Sequence, residues 1–347
     1  MMPPSVVAAA AAAIVDLDGS GIGLLEHSHR GPEFGAVLAR TEASIRQLAA
    51  VPDDYAVLFV TAGATSHFTQ IPRSFLPAEQ TADYCHTGVW SGKAIEAAKR
   101  FGNVHVACSS EASKFTAIPS DLSLSAAPRY VHFTSNNTIY GTQWTAPPVV
   151  GAVPLVCDAS SDIFSRPIDI SRYALIYAGA QKNLGPSGIS LVIARRAFLA
   201  TACAGLAPLE DYRVFDQEKS MHNTPNTFGI FVIGQTVAWI AEQGGLVTMG
   251  ERNRRKATVL YDFLDDSKLW HAVAAVGSRS HMNVTFRATS PALEEAFLVR
   301  AETLGLSGLR GHRSVGGLRA SIYNAFPEAG VHALVAALAN FEREHHA

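Results

Sequence analysis

The sequence contains no C-x-x-C pair. Its four cysteines, Cys85, Cys108, Cys157 and Cys203, stand far apart, which argues against a zinc cage or a disulfide framework and fits a reducing compartment, the cytosol. There is no excess of either charge. Twenty-eight Lys and Arg against 30 Asp and Glu leave a formal net charge of −2, too little to form an electrostatic footprint for nucleic acid or an anionic membrane surface. Any anion site must therefore be a local cluster. Long apolar runs are missing too: the alanine-dominated Val6 to Val15 is too short to span a bilayer, has no basic flank and runs into Asp16 and Asp18. It reads as the first turns of a helix, not as a signal. Solenoid repeats and low-complexity tracts are absent. What is present is a chain of 347 residues, 48% hydrophobic and 17% charged, enough for one large core and a second smaller one.

Short apolar runs alternate with amphipathic segments, the pattern of an α/β sheet with crossover helices. Phe34 to Ala50 predicts a helix with Phe34, Val37, Leu38, Ile45 and Leu48 on one stripe. Tyr55 to Val60 predicts a buried strand, closed by the small, hydroxyl-rich Thr61-Ala-Gly-Ala-Thr-Ser66. A strand, a small-residue loop and a helix start together offer backbone N–H groups to a phosphate, although such turns are common in α/β proteins. Further strands are expected at Gly102 to Cys108, Tyr130 to Thr134, Val153 to Asp158 and Ile189 to Ala194, the last reversed because its connection is short. Helices are expected at Gly92 to Arg100, Phe228 to Glu242, Glu251 to Leu264, Leu293 to Leu304 and Gly330 to Glu344, with His345 and His346 as a frayed tail. The charged run Glu251-Arg-Asn-Arg-Arg-Lys256 reads as a solvated face. A division near residue 250 separates a large domain, 1–250, from a small C-terminal α+β domain, 251–347.

Chemistry concentrates around Tyr173-Ala-Leu-Ile-Tyr-Ala-Gly-Ala-Gln-Lys182-Asn-Leu-Gly-Pro-Ser-Gly188. A β-branched and aromatic run stops in small residues, presents one lysine and turns away through glycines and a proline. A solvated lysine needs no such flanks. A lysine that forms a Schiff base needs close backbone approach and a desolvated setting that lowers its pKa. The preceding strand ends in a carboxylate, Asp158, which alone reads as a turn cap. As parallel neighbours the two strands would place Asp158 and Lys182 at one carboxyl edge, where open α/β sheets bind ligands. A lysine facing an aspartate that keeps a pyridinium nitrogen protonated is the pair that pyridoxal phosphate chemistry requires. Trp90, at a strand–helix junction, suits core packing or stacking on a ring, and Thr138 lies in a polar junction. Gly311 to Arg319, with two arginines and a histidine among glycines, suits forked recognition of carboxylates and phosphates.

Several motifs in fixed order carry a family resemblance: Glu26-His-Ser-His-Arg30, Tyr177-Ala-Gly-Ala-Gln-Lys-Asn-Leu-Gly-Pro186, Asn223-Thr-Pro225 and Gly311-His-Arg-Ser-Val-Gly-Gly-Leu-Arg-Ala-Ser-Ile-Tyr-Asn324. From about Gly21 onward the chain resembles the phosphoserine aminotransferases, class V members of the fold type I pyridoxal-phosphate transferases. The resemblance implies a large domain with a mostly parallel mixed sheet and transamination of 3-phosphohydroxypyruvate with glutamate, ping-pong through a pyridoxamine phosphate form. It implies that Lys182 holds the cofactor and shuttles the proton, Asp158 pairs with the ring nitrogen, Trp90 stacks on the ring and Thr138 bonds its phenolic oxygen. Ala64, Thr65 and Gln181 would hold the phosphate, joined by Asn223 and Thr224 from the partner of an obligate homodimer. Arg319 would take the α-carboxylate. His29 and Arg30, with the pair His312 and Arg313 from the partner chain, would take the distal anion. Members open with an Asn-Phe segment and a Gly-Pro motif, whereas this chain opens with Met2-Pro-Pro-Ser-Val-Val7 and has Gly31 where a serine is usual. The expectation is therefore a start truncated relative to the family. Two alternatives stay open: another class V enzyme of the alanine–glyoxylate type, and a catalytically impaired cofactor-binding dimer.

Overall fold

The computed structural model describes residues 1–345, so the predicted tail at His346 lies outside the described residues. Helices α1 (Pro4–Val15) and α2 (Pro32–Ala49) precede strand β1 (Tyr55–Val60), α3 (Ala64–Phe75), β2 (Thr81–His86), α4 (Val89–Ala98), β3 (Asn103–Ser109) and β4 (Val131–Thr134). A hairpin, β5 (Asn136–Asn137) and β6 (Thr142–Gln143), leads to β7 (Leu155–Asp158), β8 (Leu175–Gly179) and β9 (Ser190–Arg195). Helices α5 (Arg196–Leu199), α6 (Tyr212–Gln217), α7 (Thr227–Glu242) and α8 (Gly245–Asp266) follow, then β10 (Trp270–Ala272), β11 (Asn283–Ala288), α9 (Pro291–Thr303), β12 (Leu318–Ser321) and α10 (Glu328–His345).

The main sheet has seven strands in the order β1-β9-β8-β7-β4-β2-β3. Only β9 is reversed, antiparallel to β1 and β8, as the short connection after Lys182 predicts. Strand β1 is buried along its whole length because helices cover both faces. One face packs α1, α2 and α7 through Val6, Phe34, Val37, Ile45, Ile233 and Val237. The other packs α3, α4 and α6 through Phe68, Phe75, Ala94 and Phe215. The alanine run is indeed a helix, with Val6, Ala10 and Ala13 buried. No single helix among the described residues is long and apolar enough to cross a membrane.

The C-terminal residues build a second core around a three-stranded antiparallel sheet, β10-β11-β12, against the end of α8, α9 and α10. Helix α8 begins earlier than the sequence suggested and runs unbroken across residue 250. His345 belongs to α10, its ring stacked 4.0 Å from Phe341, rather than to a frayed tail.

The solvated-face reading of residues 251–256 is corrected in one important respect. Asn253 and Lys256 are buried, on the same stripe as Met249, Ala257 and Leu260. The Lys256 ammonium donates to the carbonyls of Ile322, Tyr323 and Phe326 at 2.9, 2.7 and 3.2 Å, closing the turn after β12. Burial pushes its pKa down to about 7. Replacing it by methionine keeps the apolar stem but strands the Ile322 and Phe326 carbonyls and leaves Tyr323 only the Phe326 N–H, and Lys256→Met is expected to lose about 3 kcal/mol of stability in denaturant titration. Because the folded pKa lies below the unfolded value of about 10.4, a penalty on the charged form is fully present below pH 7 and is relieved as pH rises through that value. The stability gap between wild type and Lys256→Met is therefore expected to widen from pH 7 to 9; a constant gap would refute the assignment.

Candidate active site

Strands β7 and β8 are parallel neighbours, with Asp158 opposite Tyr177 in register. The aspartate ends β7, and Lys182 emerges just beyond β8. Both stand at one carboxyl edge, lining a cavity of about 140 Å³ together with Gly63, Ala64, Thr65, Trp90, Thr138 and Gln181. Every cofactor residue expected from this chain is thus brought together. Asn223 and Thr224 are not; they sit in the loop before α7, Thr224 exposed.

Asp158 is buried, and its Oδ1 accepts two bonds from Ser160, from the N–H at 3.0 Å and the hydroxyl at 2.6 Å. Burial raises its pKa, opposed by the Ser160 donors and by Lys182. Lys182 is lowered by burial, opposed by Asp158 and reinforced by the positive charge of Arg319. Each group is drawn toward its neutral form by desolvation and back by the other's charge. The Lys182 amine donates to Thr138 Oγ1 at 2.9 Å and lies 5.9 Å from the centre of the Trp90 ring.

Local sequence explains this placement. Ser160 Oγ also accepts the Gly179 N–H at 3.1 Å, so one serine ties the Asp158 carboxylate to the last residue of β8. Gly179 leaves room for the Gln181 amide: a Cβ there would stand 2.7 Å from Gln181 Oε1 and 3.3 Å from the Ala64 nitrogen. Trp90 follows Gly88, whose own Cβ would collide with the Asn137 amide. That amide donates to the Thr87 carbonyl, coupling the Trp90 loop to the hairpin that carries Thr138. Beside the lysine, Asn183 accepts from the Asn324 N–H at 3.1 Å, and Asn324 is held in turn by Asn253 at 2.8 Å. Sequence reasoning missed Ser160, Asn137 and Asn183. The doublet Ser160-Ser161 right after the aspartate was the available signal, since a hydroxyl two residues on can close an Asx-type turn.

Arg319, on β12, donates to the Thr138 carbonyl at 3.3 Å, so the C-terminal unit reaches the cavity. His312 lies in the exposed loop before β12, its pKa lowered by burial and by Arg319, Arg313 and Lys93 of the same chain. His29 and Arg30 precede α2 and do not line the cavity within the single chain. The arrangement offers a desolvated amine, a carboxylate, an aromatic plate, and the uncapped first turn of α3, which presents N–H groups and the helix dipole to an anion.

A family model for class-V aminotransferases matches residues 1–334. The chain belongs to the class-V aminotransferases. Within that family it is 46% identical to the phosphoserine aminotransferase of Herpetosiphon aurantiacus, over 98% of this chain and 96% of that one, and 47% identical to that of Azotobacter vinelandii, over 99% and 96%. Among solved structures it is similar to the phosphoserine aminotransferase of Bacillus circulans subsp. alkalophilus, with TM-score 0.97, 44% identity and coverage of 99% and 96%. The PLP-bound phosphoserine aminotransferase of Trichomonas vaginalis gives TM-score 0.93 at 32% identity, covering 98% and 97%.

The geometry makes Lys182 an amine that loses its proton early. In the protein without added ligands, acylation of Lys182, followed by peptide mass spectrometry across pH, is expected to show a midpoint below the ordinary lysine value of about 10.4. Asp158→Asn, which removes the opposing negative charge, should move that midpoint lower still; movement upward would contradict the coupling.

Proposed function

We propose that this chain transfers the amino group of L-glutamate to 3-phosphohydroxypyruvate, giving O-phospho-L-serine and 2-oxoglutarate, with pyridoxal 5′-phosphate as cofactor. The observation that carries the reading is the placement of Lys182 and Asp158 at the carboxyl edges of adjacent parallel strands, in a chain about half identical to phosphoserine aminotransferases along its length.

The residues present fit the cofactor. Trp90 Nε1 and Thr134 Oγ1, both on cavity-lining residues, are buried without a hydrogen-bond partner, as expected of a wall that awaits a polar occupant. Pyridoxal phosphate, when bound, supplies the electron sink that makes loss of the substrate Cα proton feasible. Lys182 would hold it and, as the uncharged amine that its lowered pKa favours, would carry that proton. Asp158 holds a proton at the ring nitrogen. Thr138, which already accepts from the lysine, would hold the phenolic oxygen, and Trp90 would supply the aromatic wall that excludes water. Ala64 and Thr65, with their first-turn N–H groups, and Gln181 hold the phosphate. Arg319 binds the α-carboxylate, and His29 and Arg30, with the pair His312 and Arg313 from the partner chain, make up the distal-anion cluster that accepts either the glutamate carboxylate or a phosphate.

We further read the enzyme as a cytosolic homodimer with shared sites. The position of Asn223 and Thr224, outside their own chain's cavity, supports delivery to a partner's cofactor phosphate. The boundary between the cofactor-bearing domain and the C-terminal domain falls within α8.

Glutamate alone is expected to change the visible absorbance of the cofactor-loaded protein and release 2-oxoglutarate in an amount stoichiometric with sites, after which 3-phosphohydroxypyruvate restores the spectrum. Absence of a spectral change would sink the transaminase reading. Lys182→Ala should slow the half-reaction by at least about 10²-fold. Ser160→Ala removes one donor from Asp158, and the loss should raise the aspartate's pKa further. It is expected to weaken cofactor binding about tenfold and to shift the acidic limb of the rate profile to higher pH; an unmoved limb would show that Ser160 is merely structural.

A further inference from the structure

We propose that His67, a buried histidine outside the cavity lining, is a positioning residue that sets the affinity of the site for the cofactor's phosphate group. The inference rests on the reading above, in which the first turn of α3 holds that phosphate.

His67 is the fourth residue of α3 and is fully buried. Both ring nitrogens are engaged. Nδ1 lies 2.7 Å from the Tyr212 hydroxyl, and Nε2 lies 2.7 Å from Ser190 Oγ. The Ser190 hydroxyl also points to the Val60 carbonyl, at 3.4 Å. With the proton on Nε2, Ser190 accepts from the ring and can turn its own proton to Val60, and Nδ1 is left to accept from Tyr212. One neutral tautomer satisfies all three groups. The rings of Tyr177 and Tyr212 flank the imidazole at centroid distances of 5.0 and 5.9 Å.

The anchoring point matters more than the burial. Ser190 pairs with Val60 on one side and with Gly179 on the other. Those are the last residues of β1 and β8, the two strands from which the chain departs for Ala64 and for Lys182. The imidazole therefore pins α3 to the one sheet position that lies between the phosphate-binding turn and the lysine strand. Gly63, at the N-cap, contributes no side-chain cap of its own, so the first turn depends on such distant anchors. Two short bonds from one rigid ring fix how far α3 slides along its axis, and with it where the Ala64 and Thr65 N–H groups stand. Hydrogen bonds from N–H to an anion weaken steeply with misalignment. A histidine that merely filled the core would cost stability without altering which ligand groups the site prefers.

The test compares pyridoxal 5′-phosphate with pyridoxal, which lacks the phosphate, as ligands of the apoprotein, with affinities from quenching of tryptophan fluorescence. His67→Leu is expected to weaken pyridoxal 5′-phosphate by at least about tenfold while leaving pyridoxal nearly unchanged. His67→Gln, which keeps a donor and an acceptor, should recover most of the difference. Should His67→Leu fail to fold, Tyr212→Phe decides, since it removes only the donor to Nδ1 and should shift the ratio in the same direction by less. Equal weakening of both ligands, or an unchanged ratio in every variant, would overturn the proposal. If the wild-type protein itself fails to distinguish the two ligands, the phosphate role of α3 falls first, and this inference with it.

Discussion

The structure depends on one electrostatic constraint: an amine and a carboxylate must share a desolvated edge without either being stranded. Lys182 and Asp158 are each pushed toward neutrality by burial and pulled back by the other. A sheet meets that constraint cheaply. Parallel neighbours bring consecutive strand ends to the same edge, and the register that pairs Asp158 with Tyr177 sets the distance from which the chain turns out to Lys182. The reversed β9 then carries the chain back from that edge and supplies Ser190 between the two strand ends that matter.

Around that pair, each neighbour is held by a second residue whose chemistry is plain once seen. Ser160 gives two donors to the carboxylate and takes one from Gly179. Asn137 couples the Trp90 loop to the Thr138 hairpin. Asn183, Asn324 and Asn253 link the residue after the lysine to α8. Amides suit these joints because each can donate and accept at once in a place where water cannot substitute. Asn136 does the same between the sheet and β11, donating to Ser161 at 2.8 Å and to Asn283 at 2.9 Å.

Much of this was legible in the sequence, and the limits of legibility have physical causes. Lys182 and Asp158 could be paired before any coordinates because strand ends and crossover lengths dictate adjacency in α/β sheets. Helical spacing placed Phe34, Val37, Leu38 and Ile45 on the buried stripe of α2, though Leu48 is only half-buried and Thr41 and Ala49 complete the stripe, and an unbroken apolar run marked β1 as buried. The supporting residues were hidden because a serine or asparagine in a loop has the same appearance whether it faces solvent or satisfies a carboxylate. Lys256 was misread for a related reason: in a run of five charged residues and an asparagine, the stripe Met249, Asn253, Lys256, Leu260 was masked by composition. Helical spacing carried the right answer, and the carbonyls that reward it lie far along the chain, at Ile322, Tyr323 and Phe326.

That distance also explains how the C-terminal unit can matter to chemistry at β7 and β8. The segment from Arg319 to Phe326 is used twice. Its strand end places Arg319 against Thr138, and its following turn is closed by Lys256 and by the Asn324 bonds to Asn183 and Phe164. Loosening that turn would therefore act on both ends of the site at once. It would free the guanidinium held against Thr138 and unlock the backbone beside the lysine. A charged residue buried in α8 is thus tied to the active site by covalent continuity over a few residues rather than by field, since its ammonium is spent on carbonyls. The same economy appears on the opposite side, where the bond from His67 to Ser190 ties α3 to the start of β9. Two buried nitrogen bases thus stand behind the cavity without lining it: His67 in the helix whose first residues line it, and Lys256 under the turn that follows Arg319.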